Sequence, residues 1–457
     1  MDDHPSTDIP GTLQTRRAFL RTSMLGAAAA WTLPVFIDKT FFTLDALAAD
    51  RAIQTPTGRD STILVVLQLA GGNDGLNTVI PFADDAYRRA RPTLGFAPDK
   101  VLKLNDQLGL NPALGPLHAL YDEGHLGIVQ GVGYPNPNRS HFRSTEIWQT
   151  ASDANENRAY GWLGNYFDSC CQGADPTVGV AIGGTSPQAF ASKTPTGVCF
   201  ARPEQYRWVN YEKTNGKMGA SEYFFRQLNQ PEDVSADIAS MFTGGAETTG
   251  GGSVEAIGGA VRNGGNPLDF LERTALDAQV SSDRVLAIAR KTKPLVKYPG
   301  GRLSESLSLV GRMIAGGLPT RVYYVSLGGF DTHQNQLPAH ERLMTELGAA
   351  LGAFAADLKA QGNFERVMTM TFSEFGRRVE QNASGGTDHG AAAPMFVLGG
   401  RTKPGLHGKS PSLTQLFQGD LVHTVDFRSV YAGVLEEWLG VPSQPVLGRK
   451  FNPLALV

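Results

Sequence analysis

The 457-residue sequence has few cysteines and almost no net charge. Its three cysteines, Cys170, Cys171 and Cys199, are too few for a disulfide-dependent scaffold and lack the spacing of a zinc finger. An oxidising compartment would permit one bridge, from Cys199 to Cys170 or to Cys171, and would leave one thiol over. A formal net charge of -3 provides no basic field for a nucleic-acid partner. The sequence therefore favours neither a disulfide-rich domain nor a nucleic-acid-binding protein.

The apolar run near the N-terminus, 24–36, is short for a membrane-spanning helix. It follows the paired residues Arg16 and Arg17, and small residues at 46–49 come after it. That order is typical of a twin-arginine export signal. We therefore predict that 1–49 is a signal peptide, that the twin-arginine translocation machinery is a partner, and that the mature chain is periplasmic or extracellular. The alternative is an uncleaved N-terminal anchor.

Glycine is abundant, at 53 residues, and hydrophobic residues make up 41% of the chain, which favours a loop-rich α/β protein with a sizeable core. Nearly continuous apolar runs predict buried strands, and apolar residues at every third or fourth position predict helices. The strands are predicted at 63–69, 126–132, 320–327, 366–372 and 395–400. The helices are predicted at 111–123, 140–148, 338–361 and 427–439. Their alternation predicts one mostly parallel sheet.

A weaker pattern interrupts this alternation. The mature chain, 50–457, is predicted to form one domain with an insertion or cap at 160–300. Short strands are predicted inside it, at 178–184 and 198–200. The low-complexity, glycine-rich stretch at 244–266 is expected to be a surface loop.

Acids, histidines and a serine follow the predicted strands. Parallel strands end at one edge of a sheet, which is where open α/β sheets bind their ligands. The candidates are Asp74, Ser140, His141, Asp331, His333, the adjacent pair Asp388 and His389, and His407 on its own glycine loop. Carboxylates and imidazoles together favour zinc, manganese or a similar divalent metal, as one ion or as a pair about 4 Å apart.

Each candidate also has a purely structural interpretation. Asp74 and the pair Asp388-His389 can belong to turns, and Ser140 can be the N-cap of the helix that follows. His340, near the start of the 338–361 helix, is expected to be solvated. The shared sheet edge favours the metal interpretation, because so many coincident placements are not expected by chance.

Six segments of the chain are specific as a set. They are the paired arginines, Gly71-Gly72-Asn73-Asp74-Gly75-Leu76-Asn77, Ser140-His141-Phe142-Arg143-Ser144, Gly328-Gly329-Phe330-Asp331-Thr332-His333, Ser373-Glu374-Phe375-Gly376-Arg377 and Gly386-Thr387-Asp388-His389-Gly390. Together they resemble the DUF1501 family of exported proteins, over nearly all of the mature chain. That family is grouped with the alkaline phosphatase and sulfatase superfamily. The resemblance implies a three-layer α/β sandwich, with a mostly parallel central sheet flanked by helices and a metal site at the strand ends.

The resemblance also implies individual roles. Asp74 resembles the metal-binding Asp after the first strand. The pair Asp388-His389 resembles the adjacent Asp and His on the same metal. Asp331, His333 and His407 resemble the ligands of the other metal, although the superfamily usually spaces this acid and its first histidine four residues apart rather than two.

The expected nucleophile is not in its usual place. In alkaline phosphatases a serine lies seven residues before the Trp of a Trp-x-Thr-Gly segment. The segment Trp148-Gln149-Thr150-Ala151 resembles this one, and the residue seven positions before Trp148 is His141. The nucleophile is therefore Ser140, or His141 itself, or absent, and His141 can instead be a further metal ligand.

These features predict an exported, metal-dependent hydrolase of phosphate or sulfate esters. Arg143 or Arg377 is the candidate for holding the anionic substrate, because a guanidinium matches its oxygens, although both can be surface residues. The alternative is a non-catalytic exported protein that uses the same fold to bind a sulfated or phosphorylated polysaccharide or a secreted partner. The irregular nucleophile position favours this alternative, and the full set of metal ligands favours the enzyme.

Overall fold

The computed structural model describes residues 61–171, 174–194, 196–205 and 281–457. They belong to one compact unit, Thr40–Arg207 with Val280–Val457. Residues 1–60 and 206–280, which include the predicted signal peptide and the glycine-rich stretch at 244–266, lie outside the described residues. Within the described part, no helix has the length and apolar character needed to span a membrane.

The described strands and helices follow the predicted alternation. The strands are β1 Ile63–Ala70, β2 Val79–Ile80, β3 Leu102–Lys103, β4 Gly109–Leu110, β5 Leu126–Gly133, β6 Gly179–Ile182, β7 Val198–Phe200, β8 Val322–Gly328, β9 Val367–Phe372, β10 Ala393–Leu398, β11 Gly405–His407, β12 Leu416–Phe417, β13 Asp420–Leu421 and β14 Val425–Asp426. The helices are α1 Asp85–Ala90, α2 Gly115–Asp122, α3 His141–Thr150, α4 Trp162–Cys170, α5 Arg302–Ala315, α6 Gln336–Ala360, α7 Phe427–Gly433 and α8 Ser443–Leu447. A π-helical turn, Val434–Trp438, extends α7, and 281–291 is helical.

Nine of these strands form one sheet in the order β11-β5-β10-β9-β1-β8-β6-β7, with β14 also paired to β5. The β10 strand is antiparallel to both of its neighbours, and the other pairings are parallel. The predicted mixed α/β fold with a mostly parallel sheet is therefore confirmed. Because β10 runs the opposite way, its first residues lie at the edge where the parallel strands end.

Helices cover both faces of the sheet. Alternate side chains of β1 divide between two cores, as the two-residue period of a strand requires. Val65 and Leu67 pack with α2, α5 and α6 on one face. Leu64 and Val66 pack with α3, α4, α7 and α8 on the other. The sheet is the middle layer of three, and the residues of its strands are mostly apolar because both faces are buried.

Part of the predicted insertion belongs to the sheet. The β6 strand pairs with β8, and β7 pairs with β6, so both extend the central layer. Because 206–280 lies outside the described residues, the bounds of the insertion stay a prediction.

One sequence expectation is wrong in this part of the chain. His340 on α6 is not solvated but buried, and its Nε2 lies 3.1 Å from Asn73 Oδ1. The three cysteines are free, and the thiol of Cys199 donates to the carbonyl of Gly183.

Candidate metal centre

The candidate site lies at the edge where the parallel strands end. Asp331 follows β8, His141 begins the helix after β5, and His389 precedes the antiparallel β10. An isolated antiparallel bridge between Arg377 and His389 ties the segment after β9 to the loop that carries His389. Side chains next to four sheet strands, β5, β8, β9 and β10, therefore meet at one edge of the sheet.

Asp331 is at the centre of a cluster that also contains His141, His333 and His389. Its Oδ1 lies 3.1 Å from His389 Nε2 and 3.0 Å from His333 Nε2. Its Oδ2 lies 3.5 Å from His141 Nε2. The ligand atoms of His141, Asp331 and His389 all lie within 4.8 Å of one another, so the three can share one ion. The Asp331 and His333 side chains are 47% and 43% exposed, which leaves one side of the cluster accessible to solvent.

The tautomers of two imidazoles are set by what their Nδ1 atoms face. His141 Nδ1 lies 2.9 Å from Glu374 Oε1, and His389 Nδ1 lies 2.9 Å from the carbonyl oxygen of Arg139. A carboxylate and a carbonyl only accept hydrogen bonds, so each Nδ1 must carry the proton. In the neutral rings both Nε2 atoms then present lone pairs toward Asp331. His141 Nε2 is buried and has no hydrogen-bond partner, as expected for a lone pair aimed at a cation site.

His333 extends the same arrangement. Its Nδ1 lies 3.3 Å from Asp388 Oδ1, and its Nε2 lies 2.9 Å from His389 Nε2. Asn382 donates to Asp388 Oδ1 and to the carbonyl of His333, and this joins the two loops. The hydrogen bond from Asn382 lowers the pKa of Asp388, and the nearby His333 adds to this effect. Asp388 therefore faces the outer nitrogen of a cluster histidine and lies outside the set around Asp331.

Asp331 is held in place by Arg377. The buried guanidinium donates to Asp331 Oδ1 at 2.8 Å and to the carbonyls of Gly71, Gly72, Phe330 and Thr387. Burial raises the pKa of Asp331, but the hydrogen bonds from Arg377 and His389 outweigh it and bring the pKa to about 2. The prediction that Arg377 holds a substrate anion is not supported, because its donors are already engaged by the protein.

Glu374 belongs to the site although it was not among the candidates. It is 2% exposed, and its Oε1 accepts from the backbone N–H of Gly71 at 2.7 Å as well as from His141. Its Oε2 is buried without a hydrogen-bond partner. Glu374 lies two residues after the end of β9, so the search for acids at strand ends that identified Asp331 could also have identified Glu374.

Two predicted metal ligands lie elsewhere. Asp74 caps a 3-10 turn and is buried against Arg91, whose Nη1 is 2.6 Å away, and Gln336 also donates to it. Burial would raise the pKa of Asp74, but the charge and hydrogen bond of Arg91 lower it overall. His407 lies within β11, level with Val129 in the middle of β5, and its Nε2 faces the carbonyl of Lys403. Neither residue reaches Asp331.

The predicted catalytic and anion-binding residues of α3 differ in their placement. His141 is in the cluster, whereas Ser140 is the exposed N-cap of α3 and makes no side-chain capping bond. Arg143 donates to the carbonyls of Asp153 and Ala154 and pairs with Glu146 at 2.8 Å. Arg143 therefore links the first turn of α3 to the loop that follows the helix and is not directed at the cluster.

The sequence matches one family model, and the fold is similar to several solved structures. Residues 274–434 match the family model of DUF1501, a protein family of unknown function. No curated protein matches the sequence. Among solved structures, the chain is similar to a protein in the alkaline phosphatase superfamily from Vibrio parahaemolyticus, with 11% identity, 87% of this chain and 71% of that chain covered, and a TM-score of 0.35.

Two further solved structures are similar at the same level. One is the lipoteichoic acid synthase LtaP from Listeria monocytogenes, with 10% identity, 86% and 77% of the two chains covered, and a TM-score of 0.36. The other is a sulfatase from Pseudoalteromonas sp., with 12% identity, 87% and 74% covered, and a TM-score of 0.34. The match to the DUF1501 family model, over 274–434, includes the segments that carry Asp331, His333, Glu374 and His389.

Proposed function

We propose that the chain is a metal-dependent hydrolase of anionic esters, with one divalent cation held by His141, His333, His389 and Asp331. The observation that carries this proposal is the orientation of the imidazoles. The Nδ1 atom of each histidine faces an acceptor, and the Nε2 atoms of all three are directed at the same carboxylate. Lone pairs facing a carboxylate repel it unless a cation or a proton lies between them.

The residues present fit a zinc-like ion. Histidine nitrogen and carboxylate oxygen are the usual ligands of zinc, and ligands at about 2.0–2.2 Å in a tetrahedron lie about 3.3–3.6 Å from one another. The separations of Asp331 from His141, His389 and His333, at 3.5, 3.1 and 3.0 Å, are close to this value. A carboxylate behind a ligating imidazole is a frequent outer partner in metal sites, and Glu374 takes this position behind His141.

Each residue around the proposed cation site would have a separate role. A bound divalent cation would polarise the ester oxygen and lower the pKa of the attacking group. Glu374 would keep His141 in the tautomer that ligates, and Arg377 would keep Asp331 ionised and oriented. Ser140, exposed at the N-cap of α3 and adjacent in sequence to His141, remains the candidate nucleophile. Because Arg143 and Arg377 are engaged elsewhere, the ester anion would rely on the cation itself.

The experiment is turnover of 4-nitrophenyl phosphate and 4-nitrophenyl sulfate by chelator-treated protein, before and after zinc or manganese is restored. We expect turnover only with metal and a loss of at least about a hundredfold in Asp331→Asn, because that carboxylate is the shared ligand. His118→Ala is the matched control, since His118 contacts Lys103 and Asp122 and no member of the cluster. Turnover that survives Asp331→Asn would sink the proposal.

One observation favours the non-catalytic alternative. No serine or threonine hydroxyl within 61–171, 174–194, 196–205 or 281–457 is hydrogen-bonded to any of the four proposed ligands. A protein that binds metal but turns over neither ester would be an exported binding protein for an anionic polysaccharide or a secreted partner. Comparison of Ser140→Ala with the wild type decides the role of the serine, because an unchanged rate assigns the attack to another group.

A further inference from the structure

The end of α4 carries two adjacent cysteines whose thiols are in contact. Cys170 is the last residue of α4 and Cys171 is its C-cap. Their Sγ atoms lie 2.7 Å apart, and the residues are 1% and 5% exposed. Non-bonded heavy atoms pack at about 3.5–4.0 Å, and the sulfurs of a disulfide lie about 2.0 Å apart. The two sulfurs are therefore closer than ordinary packing requires.

Among the described residues, apolar side chains and one guanidinium lie close to the two thiols. Cys170 and Cys171 are part of the core on the α4 face of the sheet, together with Tyr166 and Phe167. Arg321, which directly precedes β8, lies near enough to interact electrostatically with Cys171, and its Nε donates to the hydroxyl of Tyr166. The first residues of β8 lie at the edge opposite to the strand ends that carry Asp331. The cysteine pair is therefore remote from the candidate metal centre.

We propose that Cys170 and Cys171 are a modification site, at which the two neighbouring thiols close a disulfide with each other. The two thiols together lose two protons and two electrons as the sulfur–sulfur bond forms. A small-molecule disulfide such as oxidised glutathione accepts them, and its own sulfur–sulfur bond breaks to give two thiols. Cys199 takes no part, because its thiol is directed at Gly183.

Such a bond would be labile. Consecutive Cα atoms are about 3.8 Å apart, whereas disulfides usually join Cα atoms about 4.4–6.8 Å apart, so the ring is strained and easily reduced. The neighbouring Cys170 thiol and burial raise the pKa of Cys171, so little thiolate is present and closure in the folded chain is slow. Closure is faster while α4 is open, during folding or local unfolding.

The test equilibrates the full chain in buffers of reduced and oxidised glutathione. One sample is kept folded for many hours, and another is refolded from denaturant in the same buffers. Each is then unfolded in the presence of an alkylating agent and analysed by peptide mass spectrometry. In oxidising buffer we expect the peptide with Cys170 and Cys171 to carry no alkyl group and to be lighter by two hydrogens. After reduction it should carry two alkyl groups, while Cys199 should carry one throughout.

Two variants complete the test. Cys199→Ser should leave the lighter peptide unchanged, and Cys170→Ser should abolish it. Two alkyl groups on the wild-type peptide in both oxidising samples would overturn the proposal, and so would a peptide cross-linked to Cys199 or one carrying glutathione on each thiol. Zinc affinity should be the same for the closed and reduced forms, because the pair lies at the edge opposite to Asp331. An effect on metal binding would contradict the assigned location.

Discussion

Each histidine of the cluster directs Nε2 at Asp331, and the partner of its Nδ1 sets its orientation and tautomer. The three acceptors differ. Nδ1 of His141 faces a buried carboxylate, that of His389 a backbone carbonyl, and that of His333 an exposed carboxylate. Two of these acceptors, Glu374 and Asp388, are side chains outside the cluster, and of the two Glu374 is the buried one. It is therefore the most informative position outside the ligands.

Glu374→Gln should weaken zinc binding by about ten- to a hundredfold, because it removes the charge that supports His141 while it keeps a similar shape. The measurement is the dissociation constant of zinc in competition with a chromogenic chelator. Asp357→Asn is the matched control, because Asp357 is also a buried carboxylate and accepts hydrogen bonds from Leu295 and Tyr298. It lies roughly 30 Å along α6 from the first residue of that helix, Gln336. Equal weakening in both variants would show that Glu374 acts only through general stability.

Loops and helices bring these residues together by close backbone approach. Gly386, two residues before Asp388, packs against the backbone of His333, and a Cβ at this position would overlap the His333 carbonyl. The backbone N–H of Gly386 donates to Asn382 Oδ1. Glycine is therefore required here for the contact between the two ligand loops.

Gly386→Ala should separate the two loops and weaken zinc binding at least about tenfold, with a loss of about 1–3 kcal/mol in the free energy of unfolding. Zinc titration and urea denaturation measure the two effects. Gly184→Ala is the control, because a Cβ there meets no atom within 4 Å. A folded Gly386→Ala protein with the affinity of the wild type would contradict the role given to this contact.

The long helix α6 contains a buried titratable residue that is not part of the metal cluster. Burial lowers the pKa of His340 from 6.5 to about 4; the charge of Asp74 opposes this shift, and those of Arg91 and Arg377 add to it. The unfolded chain therefore binds more protons than the folded chain between these two values. Stability from this residue is complete above pH 6.5 and is lost as the pH falls toward 4.

The free energy of unfolding should accordingly fall by about 3 kcal/mol between pH 7 and pH 4 on account of His340 alone. Urea denaturation at both pH values measures the difference. His340→Gln retains a polar side chain without this titration, so its loss of stability over the same range should be smaller by about that amount. An identical pH dependence in the variant would mean that His340 does not titrate in this way.

For the molecule as a whole, the same pattern of apolar runs predicted the sheet and grouped some of the residues at the candidate site. Apolar runs such as that of β1 identify strands buried on both faces, and parallel strands end at one edge, so Asp331, His333 and His389 could be grouped. Asp74 obeys the same rule but is neutralised by Arg91, and nothing in the spacing of these two residues indicates that pair.

Other parts of the site depend on contacts between distant segments. Glu374 acquires its role from His141, which is 233 residues away in the chain. The sequence predicted His407 as a ligand on a loop, but it lies within β11 and is paired with Val129, in the middle of β5. Sequence patterns locate strand ends reliably, whereas the choice of ligand among the residues there depends on partners that only the folded chain brings together.

The central claim is that three imidazoles and the Asp331 carboxylate share one cation. X-ray absorption at the zinc edge, on the chain loaded with one equivalent of zinc, tests it most directly. We predict a shell of nitrogen and oxygen at about 2.0–2.1 Å with the outer scattering of three imidazoles, reduced to two in His141→Ala. A chain that retains no zinc after gel filtration would contradict the claim, as would a sulfur shell at about 2.3 Å or a spectrum unchanged in His141→Ala.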